Sequence, residues 1–362
     1  MSKKEIVPGL GVIGGGIWAH HHMNAVRDLE RDGQAKLIAM AAQTQETVNR
    51  ITSEYQIAGT TQFRKLLARD DIHAVSIVTP DHLHREMAIA AMEAGKHVCV
   101  EKPMDLTMEG CREMIHAARK HNVLLFVDFH KRYDPTHQKT RELVQQKKLG
   151  QIQYGHAYME DRITVPRDWF PSWAAQTTPF WFIGIHQVDM LRWTLGSEVH
   201  SVTGHGFKGK LQSLNIDTYD SIHAQLEFES GAVFGVDISW ILPDNFEALV
   251  NQGMRIVGSE GIVEIDTQDR GFRGCFGGEM TQTLNVSSHH RHQDPFGSFY
   301  HSGYFIDPIK DFMRLVGYLI NGGNLNEIAG QYPDGRDGME ATRVALAVHQ
   351  SIEKGKSITL RR

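Results

Sequence analysis

Gly11-Val12-Ile13-Gly14-Gly15-Gly16-Ile17-Trp18-Ala19 decides how this chain folds. An apolar run over residues 6–13 breaks into glycines, and a helical segment then starts near His20-His21-His22. Gly14, Gly16 and Ala19 stand in a G-x-G-x-x-A pattern. Each small residue has its own reason. The first permits a tight strand-to-helix turn, the second lets backbone approach a pyrophosphate, and the third lets the helix pack against the strand. The helix start then offers unpaired N–H groups and a positive dipole end to phosphate. A glycine-rich turn alone is a weak signal, but one that closes the first strand of an α/β series is a dinucleotide-binding signal.

The residues around the turn supply that series. β-branched runs recur at 37–41, 74–78, 97–100 and 123–127, with helical spacing over 81–94 and 108–121. Gly95 closes the first of these helices in the left-handed conformation that glycine accepts. Thr107 is the expected N-cap of the second, Glu109 lies in its first turn, and Cys111, Met114, Ile115 and Ala118 make one apolar stripe. Strand–helix alternation requires right-handed crossovers and a parallel sheet. After about residue 130 the texture changes. A helix over 135–148 is followed by strand-like segments at 153–159, 200–207, 221–228, 232–239, 256–257, 261–265 and 281–286. Helices are expected over 184–195 and 338–352. Successive strands without helices between them predict a largely antiparallel sheet.

Composition excludes several classes. The 362 residues carry 38 Lys+Arg against 43 Asp+Glu, a net charge of −5, so no basic excess marks a nucleic-acid binder. Cys99, Cys111 and Cys275 are odd in number and scattered, which supports neither a disulfide framework nor a zinc knuckle. No apolar run approaches the roughly 20 residues that span a bilayer. The N-terminal apolar stretch is short and glycine-broken, so a first strand is expected rather than a signal peptide, and the cytoplasm is the expected compartment. Histidine is abundant, with 21 residues. Three consecutive histidines on a helix point about 100° apart and cannot share one ion. His289-His290-x-His292 falls in a polar stretch, 287–297, without grouped carboxylates or cysteines. No metal site is expected.

Two further segments carry a family resemblance. Thr79-Pro80-Asp81-His82-Leu83-His84, followed by Ala94-Gly95-Lys96-His97-Val98-Cys99-Val100-Glu101-Lys102-Pro103, resembles the signature of the Gfo/Idh/MocA oxidoreductases. The likeness continues through Phe129-His130-Lys131-Arg132-Tyr133 to His186. It implies an α/β protein with an N-terminal Rossmann dinucleotide-binding domain, 1–129. An α+β domain with an open, mostly antiparallel sheet follows over 130–362, and its last helix, about 338–353, is expected to pack back on the first domain. NAD(P) is expected in the cleft between the domains. Cofactor contacts are expected from Gly14, Gly16, Ile17, Trp18, Ala19, Ala42, Gln43, Thr79, Pro80, Asp81, His84, Glu101 and Lys102. His22 is expected to pack near the same cleft.

The resemblance gives Lys102 the role of reaching a substrate hydroxyl. Its place at the carboxyl end of an apolar strand agrees, since open α/β sheets bind ligands there. Gly184-Ile185-His186-Gln187-Val188-Asp189 resembles the family's D-x-G-x-H-x-x-D segment, with His186 as the proton acceptor and Asp189 on its helix face. The family's first Asp is Phe182 here, which points to a changed substrate pocket, a carboxylate from elsewhere (Asp161 or Asp189), or a weakened dehydrogenase. Lys131, His156, Trp169, Phe182 and Asp189 are the expected substrate contacts, with His130 as a further expected pocket wall. Ala42 occupies the position of the acidic residue that binds a ribose 2′-hydroxyl, so either NAD or NADP is accommodated, with a lean to NADP; Arg50 lies about two helical turns further on.

The expected activity is hydride transfer between NAD(P) and a sugar, polyol or related cyclic hydroxy compound. Two rivals remain: a redox-neutral enzyme using bound NAD (epimerase, lyase or glycosidase-like), and a non-catalytic nucleotide-sensing regulator. The expected partners are a small carbohydrate or polyol and a second copy of the chain, as a homodimer or homotetramer. Neither nucleic acid nor a membrane is an expected partner.

Overall fold

The computed structural model describes residues 5–171, 173–266, 271–274, 282–285 and 287–360. Cys275 and the ends of the strand expected at 281–286 lie outside the described residues. The chain divides into two units: 1–130 with 289–340, and 131–288 with 341–362.

The first unit is built on a parallel sheet. In chain order its elements are β1 (Gly9–Ile13), α1 (Ile17–Arg31), β2 (Lys36–Ala41), α2 (Gln45–Tyr55), β3 (Ala58–Thr60), α3 (Phe63–Leu67), β4 (Ala74–Ile77), α4 (His84–Glu93), β5 (His97–Val100), α5 (Met108–Lys120) and β6 (Leu125–Val127). The strands lie in the order β3-β2-β1-β4-β5-β6, all parallel. All residues of β1, β4, β5 and β6 are buried, as helices on both faces of a parallel sheet require. Strand order reverses between β1 and β4, so the carboxyl ends of these strands open at a topological switch point. The loops that leave those ends begin at Gly14, Ala42, Val78, Glu101 and Asp128. Local signals hold as well: Thr107 Oγ1 accepts from Gly110 N at 3.0 Å to cap α5, and Gly95 takes φ +73°.

The second unit begins with α6 (Pro135–Gln145), β7 (Ile152–Arg162), α7 (Ile185–Leu195), β8 (Val199–Phe207), β9 (Ser221–Phe228), β10 (Val233–Leu242), β11 (Val250–Gly258) and β12 (Ile262–Asp266). A hairpin, β13 (Gly271–Gly274) with β14 (Gln282–Asn285), follows. The seven-stranded sheet runs β12-β11-β7-β10-β9-β8, with β17 (Ile358–Thr359) at its far edge. It is antiparallel throughout except between β7 and β10. Period-2 alternation gives it two faces. Ala157, Met159, Val236, Ile238, Ala224, Leu226 and Met254 point to the buried face. There the backbone before α7 meets Ile238, and the strand at Gly204 meets Val348. Tyr154, His156, Tyr158, Asp237 and His223 occupy the other, open face.

Residues 289–340, expected from sequence to belong to the second domain, are part of the first unit. They form a second hairpin, β15 (His290–Gln293) with β16 (Phe299–Ser302), where a polar loop was expected, and then α8 (Asp307–Ile320). Asp28 anchors this segment to α1, accepting from His301 N and Lys310 Nζ at 2.8 and 2.9 Å. Helix α9 (Gly335–Lys354) is divided between the units: residues up to Glu340 count with the first and those from Ala341 with the second.

Candidate active site

The glycine turn has the geometry its residues predict. Gly14 has φ +122°, and a Cβ there would stand 2.2 Å from the Val78 carbonyl oxygen, so the position admits only glycine. Gly16, the residue before α1, is exposed, and a Cβ built on it meets nothing within 4 Å. Helix α1 starts without a side-chain cap and without an acidic residue in its first turn, which leaves its N–H groups and dipole to an anion. Open backbone in front of an uncapped helix is the arrangement a pyrophosphate needs, so these residues fit a dinucleotide. Ala19 is fully buried against the sheet. Ile17 is exposed, whereas Trp18 packs on His21, His130 and Phe305.

Arg50 reaches back from α2 to this turn. Its Nη2 donates to the Gly15 carbonyl at 3.1 Å, and its Nη1 lies 3.3 Å from His20 Nε2. Ala42 and exposed Gln43 close β2 beside it. His84 is a latch: its two ring nitrogens lie at the carbonyls of Pro103 (2.8 Å) and Thr79 (2.9 Å), tying the turn at Thr79 and Pro80 to the Glu-Lys-Pro loop. Burial holds its pKa below the ordinary value. Asp81 is buried, and its Oδ1 accepts from His82 N at 2.9 Å.

Glu101, Lys102 and Pro103 leave the carboxyl end of β5, and Glu101 turns inward. Its Oε2 accepts from the Lys102 backbone N–H at 3.2 Å, and its Oε1 lies 3.3 Å from His22 Nε2. The same nitrogen lies 3.4 Å from Asp128 Oδ2, while His22 Nδ1 stands 2.5 Å from Ser76 Oγ. Burial would depress the His22 imidazole, but Asp128 and Glu101 outweigh it and raise its pKa to about 9. Burial, then the Asp128 charge, pushes the Glu101 carboxyl up to about 7, against the opposing pull of His22 and Lys102. His22, Glu101 and Asp128 offer donor atoms within 4.8 Å of one another, and among the described residues no other trio of His, Cys, Asp or Glu does so. Sequence spacing gave no sign of this group, because its members lie on three elements.

The remaining candidates lie in the second unit. Lys131 is buried and donates from Nζ to Gln252 Oε1 at 2.6 Å. Gln252 sits on the buried face of the sheet, paired with Met159. His186 is buried in the first turn of α7. Asp189, expected beside substrate or His186, receives a bidentate pair from Arg132 at 2.8 and 2.5 Å, with Arg192 at 3.8 Å. Phe182 lies in a π-helical turn, Phe180–Gly184, and packs against Trp240, Phe170 and Trp173. Its aromatic ring therefore belongs to a cluster over Ile163, Ala174, Leu211 and Ile216. Trp169 closes a second π-helical turn, Val165–Trp169, 42% exposed and edge-on to Phe170. His156 stands on the open face, 2.7 Å from Asp237, opposite the face that holds Gln252.

A strand-end glycine turn and an uncapped helix, with a lysine at the carboxyl end of β5 in the same sheet, fit a dinucleotide-binding protein. Residues 9–129 match the oxidoreductase family with an NAD-binding Rossmann fold, and residues 137–264 match the GFO/IDH/MocA C-terminal domain. The chain belongs to the Gfo/Idh/MocA family. It is 25% identical over 359 residues to the uncharacterized oxidoreductase YrbE of Bacillus subtilis, covering 99% of this chain and 97% of that one. It is also 32% identical over 196 residues to D-glucoside 3-dehydrogenase of Escherichia coli, which covers 49% of this chain and 54% of the relative. Among solved structures, GenD2 from gentamicin A biosynthesis in complex with NAD superposes with a TM-score of 0.82 at 21% identity, over 98% of this chain and 97% of GenD2.

Proposed function

We propose that the chain transfers hydride between a ring carbinol of a sugar or polyol and NAD(P), with Lys102 and His186 as its catalytic residues. The observation that carries this reading is Lys102 at the carboxyl end of β5, in the same sheet whose first turn fits a pyrophosphate. The nicotinamide supplies the hydride acceptor or donor when bound. In the oxidative direction His186 takes the hydroxyl proton on its imidazole. The Lys102 ammonium donates to the same oxygen and stabilises its developing negative charge. Lys131, held by Gln252, contacts a neighbouring hydroxyl. Absorbance of the reduced cofactor, followed against monosaccharides, glycosides, inositols and uronates, tests the reading; full turnover by Lys102→Ala on the best substrate overturns the roles.

The finer assignments belong to the same proposal. The chain favours NADP over NAD, because Ala42 removes the repelling carboxylate and Arg50 brings a guanidinium to the glycine turn. Its open sheet face meets a second copy in a homodimer or homotetramer, which sedimentation settles. The buried thiols of Cys99 and Cys111 suit a reducing cytoplasm. No described helix is long and apolar enough to cross a membrane.

Phe182 favours a second reading, a redox-neutral enzyme with recycled cofactor. Its ring packs in an aromatic cluster and supplies no charge to orient His186. Cofactor that copurifies, with product formed and no net absorbance change, supports this reading over the first.

A further inference from the structure

Behind Lys102 lies more buried charge than a lysine-bearing loop needs. Glu101 and Asp128 place two carboxylates on one imidazole nitrogen, and all three residues are buried. A single Nε2–H cannot satisfy both carboxylates fully, and Asp128 Oδ1 is buried without a hydrogen-bond partner. Two carboxylates this close in a medium of low dielectric repel each other when both are ionised, which favours a proton shared within the group. We propose that His22, Glu101 and Asp128 form a buried proton-sharing cluster. In it, Asp128 sets whether the Glu101 carboxyl that carries the Lys102 backbone N–H is neutral or ionised. Asp128 and His22 are then positioning residues, acting on Lys102 through Glu101. The inference rests on the role proposed for Lys102.

The neighbours leave the proton few other places. From α1 the cluster meets His22, with His21 next to it; from β4, Ser76; from β5 and its loop, Cys99, Glu101 and Lys102; from β6, Asp128. The Cys99 thiol is pushed well above its ordinary value by burial and by the Asp128 and Glu101 charges, so it stays protonated. His21 is held down to about 3 by burial and by the surrounding histidines, so it is neutral. The packed face of α8, Ile309, Phe312, Met313 and Val316, is apolar. Glu101 at about 7 is the group left to change charge near neutrality, with His22 following at about 9, and their shifts follow from the geometry.

Both shifted groups have folded-state pKa values above their unfolded ones. Their protonated forms favour the fold, and the preference fades as pH rises through about 7 and then about 9. Thermal unfolding from pH 6 to 9 reads this without substrate: the midpoint of the wild type falls across the range. In Asp128→Asn the fall flattens, because His22 loses one carboxylate and Glu101 loses its repelling neighbour. With the best substrate, the pH–rate inflection near 7 moves down by about one unit in Asp128→Asn and up in His22→Gln. An inflection that stays in place in both variants overturns the proposal. So does a stoichiometric divalent metal that the purified protein retains through chelation and that Asp128→Asn lacks. Full activity of Lys102→Ala defeats the catalytic reading alone, since the unfolding profile still reads the cluster.

Discussion

The two units use buried charge in opposite ways. In the first, His22 faces two carboxylates at slack distances of 3.3 and 3.4 Å. Burial and the Asp128 charge lift Glu101 to about 7, while the carboxylates, outweighing burial, lift His22 to about 9. In the second, Arg132 holds Asp189 by two short bonds, and Arg192 continues to Glu198 at 2.5 Å. A guanidinium matches a carboxylate fork for fork and does not titrate at physiological pH, so that network is fixed across the working range. The lesson is one of roles. The unit with the dinucleotide-binding turn holds the buried charge proposed to share a proton next to Lys102, the lysine proposed as catalytic, whereas the unit that carries His186 locks its helix with a charge pair that cannot adjust.

Four tests press on this contrast. The largest effect is expected from chemistry: Lys102→Ala lowers kcat/KM by about 10²- to 10³-fold, as loss of one oxyanion donor does, with cofactor affinity retained in a fluorescence titration. Next comes Arg132→Ala, which leaves Asp189 buried without its main partner and costs about 3 to 5 kcal/mol in denaturant unfolding. A loss under 1 kcal/mol would mean the pair is not the lock described. Arg50→Ala should weaken NADPH binding about tenfold and leave NADH nearly unchanged, a difference of about 1.4 kcal/mol read by cofactor fluorescence; equal weakening of both removes the 2′-phosphate assignment. The smallest effect is on the acid side. His21 and His97 are held by burial to about 3 and about 4, below their unfolded values. Their contribution to stability is present above about 6.5 and is lost as pH falls toward 4, so His97→Phe should soften acid unfolding.

Legibility from sequence follows the same division. In the first unit, parallel topology brings strand ends together, so Gly14, Ala42, Thr79 and Glu101 could be ranked from motif and position alone, and β5 lies where its residues place it. Asp128 escaped notice although it leaves β6 in the same way, because no motif marks it. In the second unit, the partners come from distant segments: Lys131 meets Gln252 across 121 residues, and β11 is longer than its apolar pair Ile256–Val257 reveals. The return of 289–340 to the first unit was hidden too, since β15, β16 and α8 carry no signal of which sheet they join. The face that His156 occupies was not legible either: alternation along β7 places it opposite Gln252.

The most direct test of the central claim is single-turnover hydride transfer with saturating cofactor and the best sugar or polyol, comparing wild type with Lys102→Ala and His186→Ala. The account predicts a change in nicotinamide absorbance for the wild type, slowed at least about 10²-fold in both variants with cofactor binding intact. Wild-type rates in either variant contradict it.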